Sequence, residues 1–144
     1  MKVPSKHKIK LVFVMPHLSI GGAENVVKNF IQNLNREKFD ITLILIDKLS
    51  KDQLEDFEGI NLFECNQDRL RNSIPKLLQY LRESNPDIIF SSLAYLNLLL
   101  IFLSKIMLIK GKIVVREANM PNKNIENSNH PIFFKFLYKM LYRH

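Results

Sequence analysis

Cysteine is almost absent. The single Cys65 in a chain of 144 residues excludes an intramolecular disulfide and leaves no CxxC pair or Cys/His cluster from which a metal site could be assembled. A reducing, cytoplasmic setting is therefore expected, with no metal. Glycine and proline are also scarce, at 4 and 6 residues, and Leu, Ile, Val and Phe are abundant, so the collagen-like and disordered classes are excluded. Long apolar runs are missing too. Lysine-rich Met1 to Lys10 is followed only by Leu11 to Met15 before Pro16 and His17 interrupt, which is too short for the core of a signal peptide. The longest apolar stretch, Leu93 to Ile109, contains Asn97, Ser104 and Lys105. A membrane span needs roughly 20 apolar residues, and a buried Lys costs roughly 2.5 to 3.5 kcal/mol on insertion scales, so a core helix is expected there instead. Internal repeats and low-complexity tracts are absent.

What is present suits one globular domain: 47% of the residues are hydrophobic, enough for one core and too short a chain for two ordinary domains. The net charge of +7 and a pI near 9.6 point to an anionic partner, whether phosphate ester, anionic lipid or nucleic acid.

Along the chain, short buried runs alternate with helical patterns. Ile9 to Met15 (IKLVFVM) is nearly continuous in apolar residues, as strands covered on both faces are. A turn with Gly21 and Gly22 follows, then a helix with Val26, Val27, Phe30, Ile31 and Leu34 on one stripe. Strands are expected at Phe39 to Ile46, Asn61 to Cys65, Asp87 to Ser91 and Lys112 to Arg116. Helices are expected around Leu70 to Leu81, with Pro75 in the first turn after a Ser73 cap and Asn85-Pro86 as the stop, across Leu93 to Ile109, and over Pro131 to Arg143. Ser50 to Gly59 reads as either a loop or a short helix, and Ala118 to His130 as a polar loop. The alternation predicts right-handed crossovers and an α/β, doubly wound parallel sheet of Rossmann-like type.

In such sheets ligands bind beyond the carboxyl ends of the strands. Pro16 to Glu24, Asp47 to Leu49, Ser91 to Tyr95 and Glu117 to Pro121 fall there. Paired glycines at a strand-to-helix turn let backbone N–H groups approach an anion, phosphate being the natural one, although a plain tight turn is the alternative. Neither the dinucleotide GxGxxG pattern nor a Walker A sequence is present. A Cβ at Gly22 is expected to crowd the phosphates' approach and, at a positive φ, to strain the backbone. Glu24 suits the first helical turn through the dipole alone. His17 could orient a hydroxyl or phosphate, or simply lie at the surface. Arg116, Glu117, Ala118 and Asn119 cluster after the fifth strand, with pairing of Arg116 to Glu117 or another carboxylate as the structural alternative. Ser91 and Ser92 are helix-capping candidates before ligand contacts, and Asn97 needs a hydrogen-bond partner, most simply a nearby backbone group. No catalytic triad, paired-carboxylate spacing or metal cluster stands out.

The buried first strand with PHLSIGGAENVVKNFIQNL, then NPDIIFSSLAYLN and KIVVREANMP, in that order over about residues 9 to 121, resembles the N-terminal domain of glycosyltransferase family 4. The resemblance implies a retaining, metal-independent GT-B enzyme, two Rossmann-like domains facing across a cleft. It would transfer sugar from a nucleotide-sugar donor, itself a substrate and not a cofactor, to a glycan or lipid-linked acceptor. By motif, Gly21 and Gly22 would contact the donor diphosphate, and Glu117 and Asn119 would line the cleft near the acceptor or donor sugar; His17 and Ser92 are further candidates on the cleft's acceptor side. Many members carry a histidine in the loop after the fifth strand, where this chain has Ala118. The family's donor-binding half with its Glu-x7-Glu pattern does not follow before His144, so a truncated, acceptor-side domain completed by a second half is expected, lacking also a last strand after Arg143. An inactive anion-binding or interaction module with the same fold is the alternative. A nucleic-acid-binding role ranks last, because the charge is dispersed and no recognised motif supports it. Lys135, Lys139 and Arg143, beside Phe133, Phe134, Phe136, Leu137 and Met140, suggest peripheral attachment to the inner face of an anionic membrane, unless that apolar face packs on the sheet or a second domain.

Overall fold

The computed structural model describes residues 7–18, 21–48, 57–67, 69–117 and 131–141. In chain order they form β1 (Ile9–Met15), α1 (Gly22–Asn33), β2 (Phe39–Leu45), β3 (Asn61–Glu64), α2 (Leu70–Ser84), β4 (Ile88–Ser91), α3 (Ala94–Lys105), β5 (Lys112–Val115) and α4 (Pro131–Leu141). The strands make one five-stranded sheet in the order β3-β2-β1-β4-β5. Every pairing is parallel, with Leu11 opposite both Ile41 and Ile88 and Ser91 opposite Val115. The fold is the α/β, Rossmann-like doubly wound sheet that the alternation predicts.

The period of two along β1 sorts its side chains into two cores. Leu11, Phe13 and Met15 pack with Val27 and Ile31 of α1 and with Ile41, Leu43, Leu45 and Phe57. Val12 and Val14 face the other way, into a core with Ile44, Ile89, Leu77 and Leu81 of α2 and Leu96, Leu100 and Leu103 of α3. Because both faces are covered, the strand is apolar without alternation, as buried parallel strands are. Each fully buried Leu of α3 contributes about 1.5–3 kcal/mol relative to exposure, which explains why this apolar helix sits in a protein core. No described helix is long and apolar enough to cross a membrane. Cys65, just past β3, is buried, and that burial raises its thiol pKa against the smaller lowering influence of Lys76.

Several boundaries differ from expectation. α2 begins at Leu70, so Pro75 lies inside the helix and Ser73 is no cap. Ser73 is instead buried and donates its hydroxyl to the Leu70 carbonyl at 2.6 Å. Pro75 and Arg71 are both exposed, so the carbonyl that proline leaves without an amide partner lies on the side open to water. The helix does stop at Asn85, which adopts a left-handed conformation (φ 44°) and donates its amide to the Leu81 carbonyl. This is an asparagine C-cap. α3 is shorter than its apolar stretch because the chain turns at Met107, whose φ is 56°. Gly111 then enters β5 at φ 98°, where a Cβ would collide with the Pro86 carbonyl. Of the segment between β2 and β3, residues 49–56 lie outside the described residues.

Candidate functional site

The strand order reverses between β1 and β4: β1 is followed by α1 on one face, β4 by α3 on the other. The carboxyl ends of these two strands, with β5 next to β4, therefore open a crevice between two helix N-termini, where ligands bind in open α/β sheets.

One wall is the end of β1 and the start of α1. Pro16 is buried and its carbonyl accepts the Asp47 amide at 2.8 Å, while His17 is exposed. Gly21 stands at the N-cap of α1 in extended backbone (φ −138°, ψ 160°) and offers no side-chain cap. Neither Gly21 nor Gly22 has a positive φ, contrary to expectation, and a Cβ at Gly22 would meet no described atom within 4 Å. The fold's own packing thus does not require glycine at position 22. A Cβ on Gly21 would run into the carboxylate of Glu24, so that carboxylate already lies against the N-terminal turn, where an anion is favoured.

The other wall is built from side chains. Asn97, fully buried in α3, donates Nδ2 to the Arg116 carbonyl at 3.1 Å and to Glu117 Oε1 at 3.0 Å. Two acceptors on one amide fix its orientation, which leaves Asn97 Oδ1 buried and without a partner, as is Ser91 Oγ. Arg116 Nη1 donates to Ser92 Oγ at 3.0 Å and its amide to the Ser91 carbonyl at 2.9 Å. Tyr138 of α4 is buried and donates its hydroxyl to Glu117 Oε2 at 3.3 Å. Glu117 is thus gripped from α3 and from α4. Tyr95, in the first turn of α3, has its phenol pKa raised, chiefly by burial and further by the negative charge of Glu24. The charge of Glu24 on the α1 wall thus acts on Tyr95 of the α3 wall in the same direction as burial.

The structure therefore gathers Gly21, Gly22 and His17 on one side of the crevice and Ser92 and Glu117 on the other. Asn119 lies outside the described residues. Asn97 does find a backbone partner, the Arg116 carbonyl, and adds the Glu117 carboxylate, so that it ties α3 to the end of β5. The capping expectation is corrected: the Ser92 hydroxyl accepts from Arg116, and the N-cap of α3 is Leu93, without a side-chain cap. The residue that sequence reasoning missed is Tyr138. Its signal was a phenol on a helix whose other named residues are lysines and hydrocarbons, since a buried Tyr hydroxyl seeks a partner. Among the described residues no three His, Cys, Asp or Glu groups gather to hold a metal ion. No known family's sequence profile matches the chain, and no curated protein matches it.

Proposed function

We propose that this chain is the acceptor-side domain of a GT-B glycosyltransferase of the family 4 kind, working with a donor-binding domain across the crevice at β1 and β4. The observation that carries the reading is that the three stretches bearing the resemblance leave the carboxyl ends of neighbouring parallel strands. PHLSIGG leaves β1, SSLAYLN leaves β4, and REANMP leaves β5, which are adjacent strands of one sheet. In this reading the N-terminus of α1 faces the donor's diphosphate, and the absent side chains at Gly21 and Gly22 leave it room to approach. Glu24 would have to swing aside for that anion. Glu117, held by Asn97 and Tyr138, fixes a hydroxyl of the acceptor or donor sugar by accepting its proton in a hydrogen bond. Arg116 and the N-terminus of α3 add positive potential on the same side.

The test combines the purified chain with a family 4 donor-binding domain and follows transfer of labelled sugar from a panel of nucleotide sugars to lipid and glycan acceptors. Turnover is expected with both parts present and not with the chain alone. Transfer by the chain alone would overturn the two-part reading, whereas failure with every donor would leave an inactive anion-binding module that keeps the fold.

A further inference from the structure

The opposite end of α3 and the outer side of α4 form a surface that the proposed transfer does not use. Lys105 Nζ lies 3.4 Å from the Met140 carbonyl, which sets the C-terminal ends of α3 and α4 side by side. On these two helices and the turn after α3, large apolar side chains face solvent: Phe102, Ile106 and Met107 from α3 and its turn, and Ile132, Phe136 and Met140 from α4. Two of them are almost wholly exposed, Met107 at 88% and Ile132 at 87%. Ile132, Phe136 and Met140 recur every four residues, so they form one stripe, and Tyr138 anchors the other side of the helix. Met107 reaches solvent from a left-handed backbone, a conformation that a long unbranched side chain seldom adopts and that surroundings must enforce.

The charges carried by α3, the turn after it and α4 have one sign. Lys105, Lys110, Lys135 and Lys139 are exposed on these elements, and Arg82 joins the turn by donating Nε to the Leu108 carbonyl at 2.9 Å. None of the chain's 14 Asp and Glu residues falls between Ala94 and Arg116 or between Pro131 and Leu141. Contiguous exposed apolar residues mark an interaction surface, and an acid-free lysine rim selects an anionic partner. Nucleic acid would want those lysines along a polar groove. An apolar centre within a lysine rim fits a lipid interface, where hydrocarbon enters the acyl boundary and ammonium groups meet phosphates.

We propose that the α3–α4 junction docks the protein on anionic membrane surfaces. Met107, Ile132 and Phe136 enter the headgroup layer, and Lys105, Lys110, Lys135 and Lys139 bind lipid phosphates. The docking surface is wider than the one expected from the sequence, because it recruits the end of α3, and it does not need Arg143. It stands independently of the glycosyltransferase reading. The crevice lies at the carboxyl ends of the strands, whereas Lys105 and Met107 of the docking surface lie at and just past the far end of α3.

The test is co-sedimentation of the full chain with vesicles of phosphatidylcholine alone and of phosphatidylcholine mixed with phosphatidylglycerol. Binding is expected to the anionic vesicles, to weaken with salt, and to fall at least about tenfold in Lys135→Glu/Lys139→Glu and in Met107→Asp/Phe136→Ser. These positions are exposed, so both variants should melt like the parent, and melting curves check this. Equal binding to both vesicles, no binding, or parental binding by both variants overturns the proposal. So does retention on an RNA column in place of vesicles. A concentration-dependent dimer in sedimentation equilibrium that the same variants abolish would likewise overturn it, since a second copy would then be the occupant.

Discussion

The two walls of the crevice are made from opposite materials. The α1 wall is bare: an N-cap glycine in extended backbone, a second glycine with open space where a Cβ would be, and a carboxylate folded over the turn. The α3 wall is crowded: Asn97, Ser92, Arg116, Glu117 and Tyr138 lock one another by direct hydrogen bonds. Among the described residues of the bare wall, Glu24 is the group that a bulky anion would have to displace. The crowded wall can present a carboxylate in one fixed orientation, because reorienting it would break bonds from two helices. An incoming group would thus find space on one side and a rigid acceptor on the other.

The sharpest way to break this contrast is Asn97→Ala. It would strand the Arg116 carbonyl and release one arm of Glu117, and should lower the unfolding free energy by about 1–3 kcal/mol in urea titrations. A loss below about 0.5 kcal/mol would mean that the α3 wall is not held by this amide.

Gly22→Ala probes the other side and should behave in the reverse way. Since φ is not positive and the space is empty, stability should stay level or rise by up to about 1 kcal/mol. If the proposed two-part transferase is reconstituted, kcat/KM for the donor should nonetheless fall at least about tenfold, or about 1.4 kcal/mol of transition-state stabilisation. Glu117→Gln is the companion, keeping shape and removing charge. Parental donor kinetics in both variants would reduce the glycine turn to a structural feature.

The smallest effect concerns communication between the walls. Tyr95 titrates above its ordinary value of 10.0, through burial first and Glu24 second. Glu24→Gln should therefore bring the phenol only part of the way back, as followed by phenolate absorbance with Tyr95→Phe as the blank. Its folded pKa being raised, the tyrosine's contribution to stability is intact below about pH 10 and is lost as pH climbs above it. No movement on Glu24→Gln would separate the walls electrostatically.

How much of this the sequence disclosed follows from the range of each interaction. β1 is legible residue for residue because continuous apolarity over seven positions is a local signal. The order of strands and helices is legible for the same reason, and with it the edge where His17, Gly21, Gly22, Ser92 and Glu117 meet. The start of α2 was not, because Ser73 and Pro75 together imitate a cap and first turn while the helix has already begun at Leu70. Asn97 illustrates the other limit. Its need for a partner is plain in an apolar helix, but the partners lie 19 and 20 residues away, across a connection whose geometry only the folded sheet supplies. The backbone of Gly22 was misjudged because glycine pairs suggest positive φ, whereas here the pair lies in ordinary conformations.

The register of the central strands also sets an order of events. Leu11 can pair with Ile41 soon after both are made, yet its other neighbour is Ile88. During synthesis, β1 therefore waits with one edge unpaired until most of the chain has emerged, and such edges invite pairing with other chains. The crevice, which needs Ser91 and Arg116 as well, can exist only as one of the last features to assemble. A chain interrupted before residue 88 would hold the glycine turn and no opposite wall, and aggregation is its expected fate.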